Sequence, residues 1–166
     1  MIFVTVGTHE QPFDRLLRAV DELRRQGAIQ EEVFLQTGCS DYQPKACGWA
    51  RMLPYRQMVE QMSRARIVVT HGGPASFMLP LQMGKTPVVV PRQKQYGEHV
   101  NDHQVEFARE VSRRMGLILP VEEVDRLGEV LARYDTLAGA AAGEIPRNNG
   151  RFNRELDALV RGLFPQ

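Results

Sequence analysis

Two segments between residues 66 and 108 place glycine, histidine and other hydrogen-bonding residues directly after short apolar runs. The first is His71-Gly72-Gly73-Pro74, which follows the apolar run 67–70. Glycine lets the main chain approach a ligand closely, and proline suits the first turn of a helix. Main-chain amides at such a helix start commonly bind anions, phosphates above all. The same residues also serve strand-to-helix geometry alone, so both interpretations of this loop stay open.

A second polar segment follows the apolar run 86–90 and carries Arg92 and Glu98. A helix is predicted after it, because apolar residues recur with helical spacing up to Gly116. Its first turns contain Asn101, Asp102, His103 and Gln104. Parallel strands end at the same edge of a sheet, so we expect these side chains to lie near His71. Together the two segments would supply amides, a guanidinium group and hydrogen-bonding side chains to one crevice.

The elements that must position these residues alternate along the chain between short apolar runs and helical patterns. This alternation is typical of a parallel sheet with helices on both faces. The first helical pattern covers residues 12–26, where the apolar residues form one stripe and Gly27 follows. The predicted fold class is therefore α/β, a single Rossmann-like domain. Six strands are predicted, at residues 2–6, 33–36, 48–53, 67–70, 86–90 and 117–119.

The domain organisation follows from length and composition. A chain of 166 residues, 43% of them hydrophobic, predicts one well-packed domain over residues 1–166. The segment 137–150 is rich in alanine, glycine and asparagine and is predicted to be mobile. Residues 151–164 carry an apolar stripe with charges opposite it, which predicts an amphipathic helix. Such a helix normally packs on its own domain, and the alternative is docking on a partner subunit.

Charge and composition exclude several classes of partner. The net charge of +1, from 21 basic and 20 acidic residues, gives no long-range field that would attract nucleic acid or an anionic membrane. We find no apolar run long enough to span a bilayer and no secretory signal pattern at the start. The two cysteines, Cys39 and Cys47, do not form a disulfide framework. The expected compartment is the cytoplasm, with no direct membrane span and no nucleic acid.

The residues of these segments resemble the donor-binding half of family 28 glycosyltransferases. The similarity rests on several motifs taken together: His71-Gly72-Gly73, Gly84-Lys85, Val90-Pro91-Arg92 and the run YGEHVNDHQ at residues 96–104. The opening IFVTVGTHE at residues 2–10 is similar to the start of the small, Alg13-like catalytic subunits of bacterial exopolysaccharide glycosyltransferases. The resemblance extends from Met1 to about Met115, which is most of the chain.

This resemblance implies a chain that is one half of a GT-B glycosyltransferase. It implies an inverting, UDP-sugar-dependent hexosyltransferase that transfers a hexose to a lipid-linked saccharide during polysaccharide assembly. A separate, membrane-anchored Alg14-like subunit would bind the acceptor. That partner would also hold this cytoplasmic chain at the inner membrane as a peripheral protein, and the chain would be active only with it.

The resemblance also implies roles for particular residues. The glycine loop and helix start would hold the diphosphate, His103 and Gln104 would bind the sugar, and Tyr55 would lie near the uracil through main-chain groups. Family members often place a ribose-binding carboxylate where this chain has Leu79. Gln82 or Glu98 would then contact the ribose, or donor affinity would be weakened. The expected substrate-binding residues are Gly7, Thr8, Tyr55, His71, Gly72, Gly73, Pro74, Ala75, Ser76, Arg92, Glu98, Asn101, Asp102, His103 and Gln104.

The chain contains no Asp-x-Asp sequence, so a common means of holding a metal ion on a sugar nucleotide is missing. We therefore expect no metal and no cofactor besides the UDP-sugar donor. One helix N-terminus stabilises an anion by about 0.3–1 kcal/mol, whereas enzymes lower barriers by about 8 kcal/mol or more. Several preorganised donors must act together on the departing UDP: the amides of residues 72–76, the Gly7-Thr8 turn and Arg92.

The histidines leave alternatives open. His9, in the first strand-to-helix turn, is the candidate catalytic base because its unperturbed pKa is near neutral; otherwise it positions the donor or an interface. His99 and His103 lie four residues apart, as metal ligands on a helix do, although sugar and phosphate hydrogen bonding also accounts for them. Two other function classes remain: a non-catalytic nucleotide-sugar-binding or scaffolding module, and a metal hydrolase that uses His71, His99 and His103.

Overall fold

A computed structural model of the chain describes residues 1–142 and the isolated positions Arg154, Ala158 and Arg161. Within these residues, six parallel strands form one sheet in the order β3-β2-β1-β4-β5-β6. The strands are β1 (Ile2–Thr5), β2 (Val33–Gln36), β3 (Gly48–Ala50), β4 (Ile67–His71), β5 (Val88–Val90) and β6 (Leu119–Pro120). The helices are α1 (Asp14–Arg25), α2 (Tyr55–Arg64), α3 (Pro74–Gln82), α4 (His103–Met115), α5 (Leu127–Ala132) and α6 (Tyr134–Ala142).

Helices cover both faces of the sheet, because successive strand residues point to opposite sides. In β1, Ile2 and Val4 pack in a cluster with residues of α1, α5 and α6, whereas Phe3 packs with Met62 of α2 on the other face. In β5, Val89 packs against Phe77 and Phe107 of α3 and α4. The strands therefore read as continuous apolar runs, which is typical of a sheet buried on both sides.

The predicted α/β class is confirmed, and all six predicted strands are present. Strand β3 ends at Ala50, before the predicted end at residue 53, and β6 lies at Leu119–Pro120 in place of residues 117–119. Within the described part of the chain, no helix is long and apolar enough to cross a bilayer. The first six residues of the segment 137–150 belong to α6. The rest of that segment lies outside the described residues, and so does the helix predicted at residues 151–164, apart from three isolated positions.

The strand order reverses direction between β1 and β4, which are neighbours in the sheet with Thr5 paired to Thr70. The chain leaves β1 towards one side of the sheet and reaches the other side through β4 and β5. The loops after β1 and β4 consequently diverge and leave a crevice at the carboxyl ends of these two strands. This is the place in an open parallel sheet where ligands bind.

Candidate functional site

A cleft of about 490 Å³ opens at the carboxyl ends of β1 and β4. The structure brings to it predicted residues of the loops after β1 and β4 and of the start of α2, together with several residues that were not predicted. The predicted residues of the loop after β5 and of α4 do not line it. Among the described residues that line the cleft, none is acidic and none is a lysine or arginine. The lining residues are Thr5, Gly7, Thr8, His9, Gln36, Tyr55, Met58, Met62, His71, Gly73, Pro74, Ala75, Ser76 and Leu79.

The glycine loop offers fewer free amides than its sequence predicts. The Gly72 N–H donates to Gln104 Oε1 at 3.0 Å, and the Gly73 N–H donates to His71 Nδ1 at 3.0 Å. Pro74 has no N–H, and the Ser76 N–H donates to the Gly73 carbonyl. Within the described residues, Ala75 therefore holds the one main-chain N–H of residues 72–76 that has no acceptor. Of the run of amides expected to hold the diphosphate, the described residues thus leave the Ala75 N–H available to a ligand, with the Ser76 hydroxyl beside it.

No side chain caps the N-terminus of α3, among the residues that the structure describes. The helix begins at Pro74 after Gly73, and its first turn lies at the cleft. A helix end of this kind carries partial positive charge and favours an anion by about 0.3–1 kcal/mol, up to about 2 kcal/mol when partly buried. The open end of α3 therefore makes this side of the cleft favourable for an anion.

The imidazole of His71 fills the space between two glycines, Gly7 after β1 and Gly73 before α3. A Cβ placed on either glycine would overlap the His71 ring, and Gly7 has a φ of +75° as well. Both glycines are therefore required by the close approach of the ring. The loops after β1 and β4 are joined through this one side chain.

The His71 ring is held neutral. Burial, followed by the charge of Arg92, lowers its pKa to about 4, against an opposing hydrogen bond with Gln104 and with smaller lowering effects of His9 and His99. Nδ1 accepts the Gly73 N–H, and Nε2 lies 2.7 Å from Ser76 Oγ. At neutral pH the ring thus makes hydrogen bonds to its own loop and helix through both nitrogens.

Gln104 connects the loops that follow β4 and β5. It is 8% exposed, and its Oε1 accepts hydrogen bonds from the main-chain N–H groups of Gly72 and Arg92 at 3.0 and 3.1 Å. These amides follow β4 and β5, so one side-chain oxygen fixes the spacing of the two loops. A hydrogen bond of the same side chain also raises the pKa of His71, and the Nε2 group is the part of Gln104 without a described partner in these contacts.

Arg92 and Glu98 do not lie in the cleft, which corrects the prediction that they contact the donor. The Arg92 side chain has 0% exposure and donates to the carbonyls of Val6, Gln11 and Glu98. Glu98 is 3% exposed, and its carboxylate accepts from Arg15 and from the Gln93 N–H. Both charged groups hold loops together around the site.

The turn before α4 is exposed and lies outside the described cleft lining. Asn101 Oδ1 accepts from the His103 N–H at 3.2 Å, and Asp102 Oδ1 accepts from the Lys94 N–H at 2.8 Å. Asn101 and Asp102 therefore shape this turn through hydrogen bonds to main-chain amides. That Asn101, Asp102 and His103 bind the substrate remains a prediction.

His9 lies at the cleft, with its ring centroid 5.0 Å from that of His99. Its Nδ1 accepts the Gln11 N–H at 3.1 Å. Burial first, then the charges of Arg92 and His99, lowers its pKa. A neutral His9 with an occupied Nδ1 carries its proton on Nε2, so the lone pair that a base needs is already in use. Of the two roles considered for His9, this geometry favours positioning.

Two polar residues that the sequence analysis missed, Thr5 and Gln36, lie at the bottom of the cleft. The Thr5 hydroxyl donates to Gln36 Oε1, and Gln36 Nε2 donates to the Gly7 carbonyl at 3.2 Å. Thr5 Oγ1 also accepts the Gly7 N–H. The pair fixes the turn after β1. Each is a polar residue that ends an apolar strand, and this signal was available in the sequence.

The cleft has an apolar wall, formed by Met58 and Met62 of α2 and Leu79 of α3. Tyr55, the first residue of α2, stands at the rim and is 74% exposed. Gln82 and Glu98, the residues expected to take the place of the ribose-binding carboxylate, both lie outside the described lining. Among the described residues, no group of three or more His, Cys, Asp or Glu side chains is arranged to bind a metal ion.

The sequence model of the glycosyltransferase family 28 C-terminal domain matches residues 1–136 of this chain. The chain belongs to this family. The family 28 domain is also similar to the UDP-N-acetylglucosamine transferase subunit ALG13 of Yarrowia lipolytica (strain CLIB 122 / E 150), with 36% identity over 72 residues. That match covers 43% of this chain and 34% of the relative, so the chain spans about a third of the protein it matches.

Solved structures show that the family 28 domain has the fold of one half of a GT-B glycosyltransferase. It superposes on SnogD from Streptomyces nogalater (TM-score 0.60, 19% identity), on the glycotransferase of kitacinnamycin (0.63, 20%) and on VinC in complex with dTDP (0.53, 19%). The superpositions cover 95%, 99% and 98% of this chain but only 39%, 43% and 40% of those chains. At these identities the likeness concerns the fold alone.

Proposed function

We propose that this chain is the donor-binding subunit of an inverting UDP-sugar glycosyltransferase. It transfers a hexose to a lipid-linked saccharide in polysaccharide biosynthesis, together with a membrane-anchored, Alg14-like subunit that binds the acceptor. The proposal is supported by the family and by the name of the Yarrowia relative, a UDP-N-acetylglucosamine transferase subunit. The observation that carries it is the open cleft at the start of α3, which presents hydrogen-bond donors without an acidic side chain among its described lining.

The leaving diphosphate would be stabilised by donors on two loops. On the α3 side these are the Ala75 N–H, the Ser76 hydroxyl and the end of the helix. On the β1 side they are the Thr8 main-chain N–H and hydroxyl, on a turn that Thr5 and Gln36 fix. Such groups need no reorganisation as negative charge develops on the departing UDP, and this is the main way that an enzyme site lowers a barrier.

The nucleoside would lie against the apolar wall. Met58, Met62 and Leu79 would contact the uridine, and main-chain groups near Tyr55 would contact its uracil ring. No carboxylate reaches the ribose hydroxyls from the described lining residues. We therefore expect weaker discrimination of ribose from deoxyribose than in a site that hydrogen-bonds these hydroxyls.

The first test is binding of UDP to the purified chain, alone and with its partner, by saturation-transfer NMR and calorimetric titration. UDP is expected to bind more tightly than UMP, because the second phosphate lies at the α3 terminus, and Ser76→Ala is expected to weaken UDP binding. Ser63→Ala, an exposed serine at the far end of α2, is the matched control. The proposal fails if wild-type protein shows no contact with UDP in either setting.

The second test is transfer of labelled sugar from a UDP-sugar to a lipid-linked acceptor after the partner subunit is added. We expect His103→Ala and Gln104→Ala to reduce transfer. The alternative, a non-catalytic nucleotide-sugar-binding or scaffolding module, is favoured by Leu79, which leaves the cleft without a ribose carboxylate. UDP binding without transfer from any UDP-sugar would support this module and would contradict the enzyme.

A further inference from the structure

The contacts of His71 fix which of its ring nitrogens carries the proton. The Gly73 N–H points at Nδ1 at 3.0 Å, and a main-chain N–H can only donate, so Nδ1 must accept. Burial keeps the ring neutral at physiological pH, since its pKa is lowered to about 4. A neutral imidazole with an accepting Nδ1 has its one proton on Nε2.

The state of His71 fixes the Ser76 hydroxyl in turn. His71 Nε2 lies 2.7 Å from Ser76 Oγ and, carrying the proton, donates to it. The hydroxyl oxygen is then an acceptor in this contact, and its own proton must point elsewhere. Among the described residues, Ser76 Oγ has no other hydrogen-bond partner, and Ser76 lines the cleft. The proton is consequently available to the cleft and to whatever anion lies there.

We infer that His71 is a positioning residue: it does not contact the donor but orients the Ser76 hydroxyl proton towards the diphosphate. It does so through two hydrogen bonds, one from the Gly73 N–H to His71 and one from His71 to Ser76. The inference deepens the proposed function and rests on it for the identity of the ligand. It differs from the expectation that His71 itself binds substrate, because both of its ring nitrogens already have partners on the protein.

The site is built to keep this chain of hydrogen bonds rigid. A Cβ on Gly7 or Gly73 would overlap the His71 ring, so the two glycines leave room for the imidazole and for little more. The ring cannot turn to present a nitrogen to the ligand without losing its contacts to Gly73 and Ser76. A rigid acceptor and a rigid donor on one ring give the hydroxyl a single favoured orientation before any ligand arrives.

The tautomer is tested on the free wild-type protein by NMR of ¹⁵N-labelled histidine, with the His71 signal identified by its loss in His71→Gln. We expect a neutral ring at pH 7 with the proton on Nε2 and an unprotonated Nδ1. A proton on Nδ1, or a charged ring at pH 7, overturns the inference. This measurement requires no ligand and no variant that binds one, so its result is valid whether or not UDP proves to be the donor nucleotide.

The positioning role is tested by a double-mutant cycle on UDP affinity, using His71→Asn, Ser76→Ala and the pair. Asparagine places its oxygen near the position of Nδ1 and keeps the Gly73 contact, but it loses the donor to Ser76. We expect Ser76→Ala to weaken UDP binding roughly ten- to hundred-fold, as for a hydrogen bond to a charged group. His71→Asn alone should weaken UDP binding, and it should have no further effect on UDP binding in the Ser76→Ala background.

Rescue separates positioning from simple structural support. The longer His71→Gln side chain can bring its amide N–H₂ near the position of Nε2, so we expect it to regain most of the UDP affinity that His71→Asn loses. Ser63→Ala and urea unfolding of each variant serve as controls. Additive losses in the cycle would mean that His71 contacts the ligand directly and would overturn the inference. If wild type does not bind UDP, the proposed function fails, and the tautomer alone decides the hydrogen-bond chain.

Discussion

Replacement of Gly7 by alanine tests the packing of the site against a control that the chain itself provides. Gly7 and Gly84 have nearly the same backbone conformation, with φ of +75° and +74°. A Cβ on Gly7 would overlap the His71 ring, whereas a Cβ on Gly84 would have no atom within 4 Å. The two substitutions therefore share the cost of a left-handed alanine and differ in the contact with His71.

The expected magnitudes follow from these two terms. A left-handed conformation costs an L-residue roughly 1–2 kcal/mol, and this is the whole expected loss for Gly84→Ala. Overpacking adds about 1–3 kcal/mol, because a buried ring between two main-chain segments cannot move freely. Gly7→Ala should thus lower the free energy of unfolding by roughly 2–5 kcal/mol. Domains are typically stable by about 5–15 kcal/mol, so a loss of this size is large enough to measure in urea unfolding.

The assay is urea unfolding at pH 7.5, followed by circular dichroism, on both variants and on each combined with His71→Ala. Once the ring is removed, Gly7→Ala should cost no more than Gly84→Ala, because the overlap has gone. Equal losses for the two single variants would refute the idea that His71 requires glycine at position 7. So would an excess cost of Gly7→Ala that persists in the His71→Ala background.

Four further outcomes are expected. The pKa of His71 falls from 6.5 to about 4 on folding, so between about pH 4 and pH 6.5 the unfolded chain binds more protons than the folded one. The free energy of unfolding should therefore fall as the pH drops, by up to about 1.4 kcal/mol per pH unit. In urea titrations the wild type should lose stability relative to His71→Gln only below pH 7. Gln104→Met leaves two buried N–H groups unpaired and should cost roughly 2–6 kcal/mol in urea unfolding, whereas Gln104→Glu, which still accepts both, should cost less; equal losses would contradict the bridging role. Arg92→Met removes the hydrogen bonds to the main-chain carbonyls of Val6, Gln11 and Glu98 and a longer one to Pro12, and should cost at least about 3 kcal/mol in the same assay. The expected cost is about 1 kcal/mol or less for Arg109→Met, whose ion pair is exposed. Leu79→Glu supplies the missing carboxylate and should raise the preference for UDP over its 2′-deoxy analogue in calorimetric titrations; an unchanged ratio would place the ribose elsewhere.

The fold could be predicted because its signals are local. Continuous apolar strands, one-stripe helices and glycines after helices determine a doubly covered parallel sheet, and these patterns are visible within windows of about ten residues. The ends of β3 and β6 could not be placed as well, since they depend on which strand residues find a partner in the sheet. Leu117 and Ile118 are buried, as a strand would be, yet they precede the pairing that begins at Leu119.

The position of the cleft in the fold could be predicted from sequence, but the contacts of its individual residues could not. His71, Ser76 and Thr8 line the cleft because they follow strands that end at one edge. The directions of the Arg92 and Glu98 side chains depend on partners far away in sequence, such as Val6 and Arg15. A polar loop residue looks the same in sequence whether it faces a ligand or a buried carbonyl.

Arg92 also makes the site dependent on distant parts of the chain during synthesis. Its guanidinium group bonds to the carbonyls of Val6 and Gln11, which lie 86 and 81 residues earlier. Closing a loop of this length costs conformational entropy, and the contacts that offset this cost form only in the completed sheet. A nascent chain that has emerged as far as α2 carries the loop after β1 without the side chain that holds it. The loop after β1 therefore lacks this support until the ribosome has released β5 and Arg92, however early β1 is made.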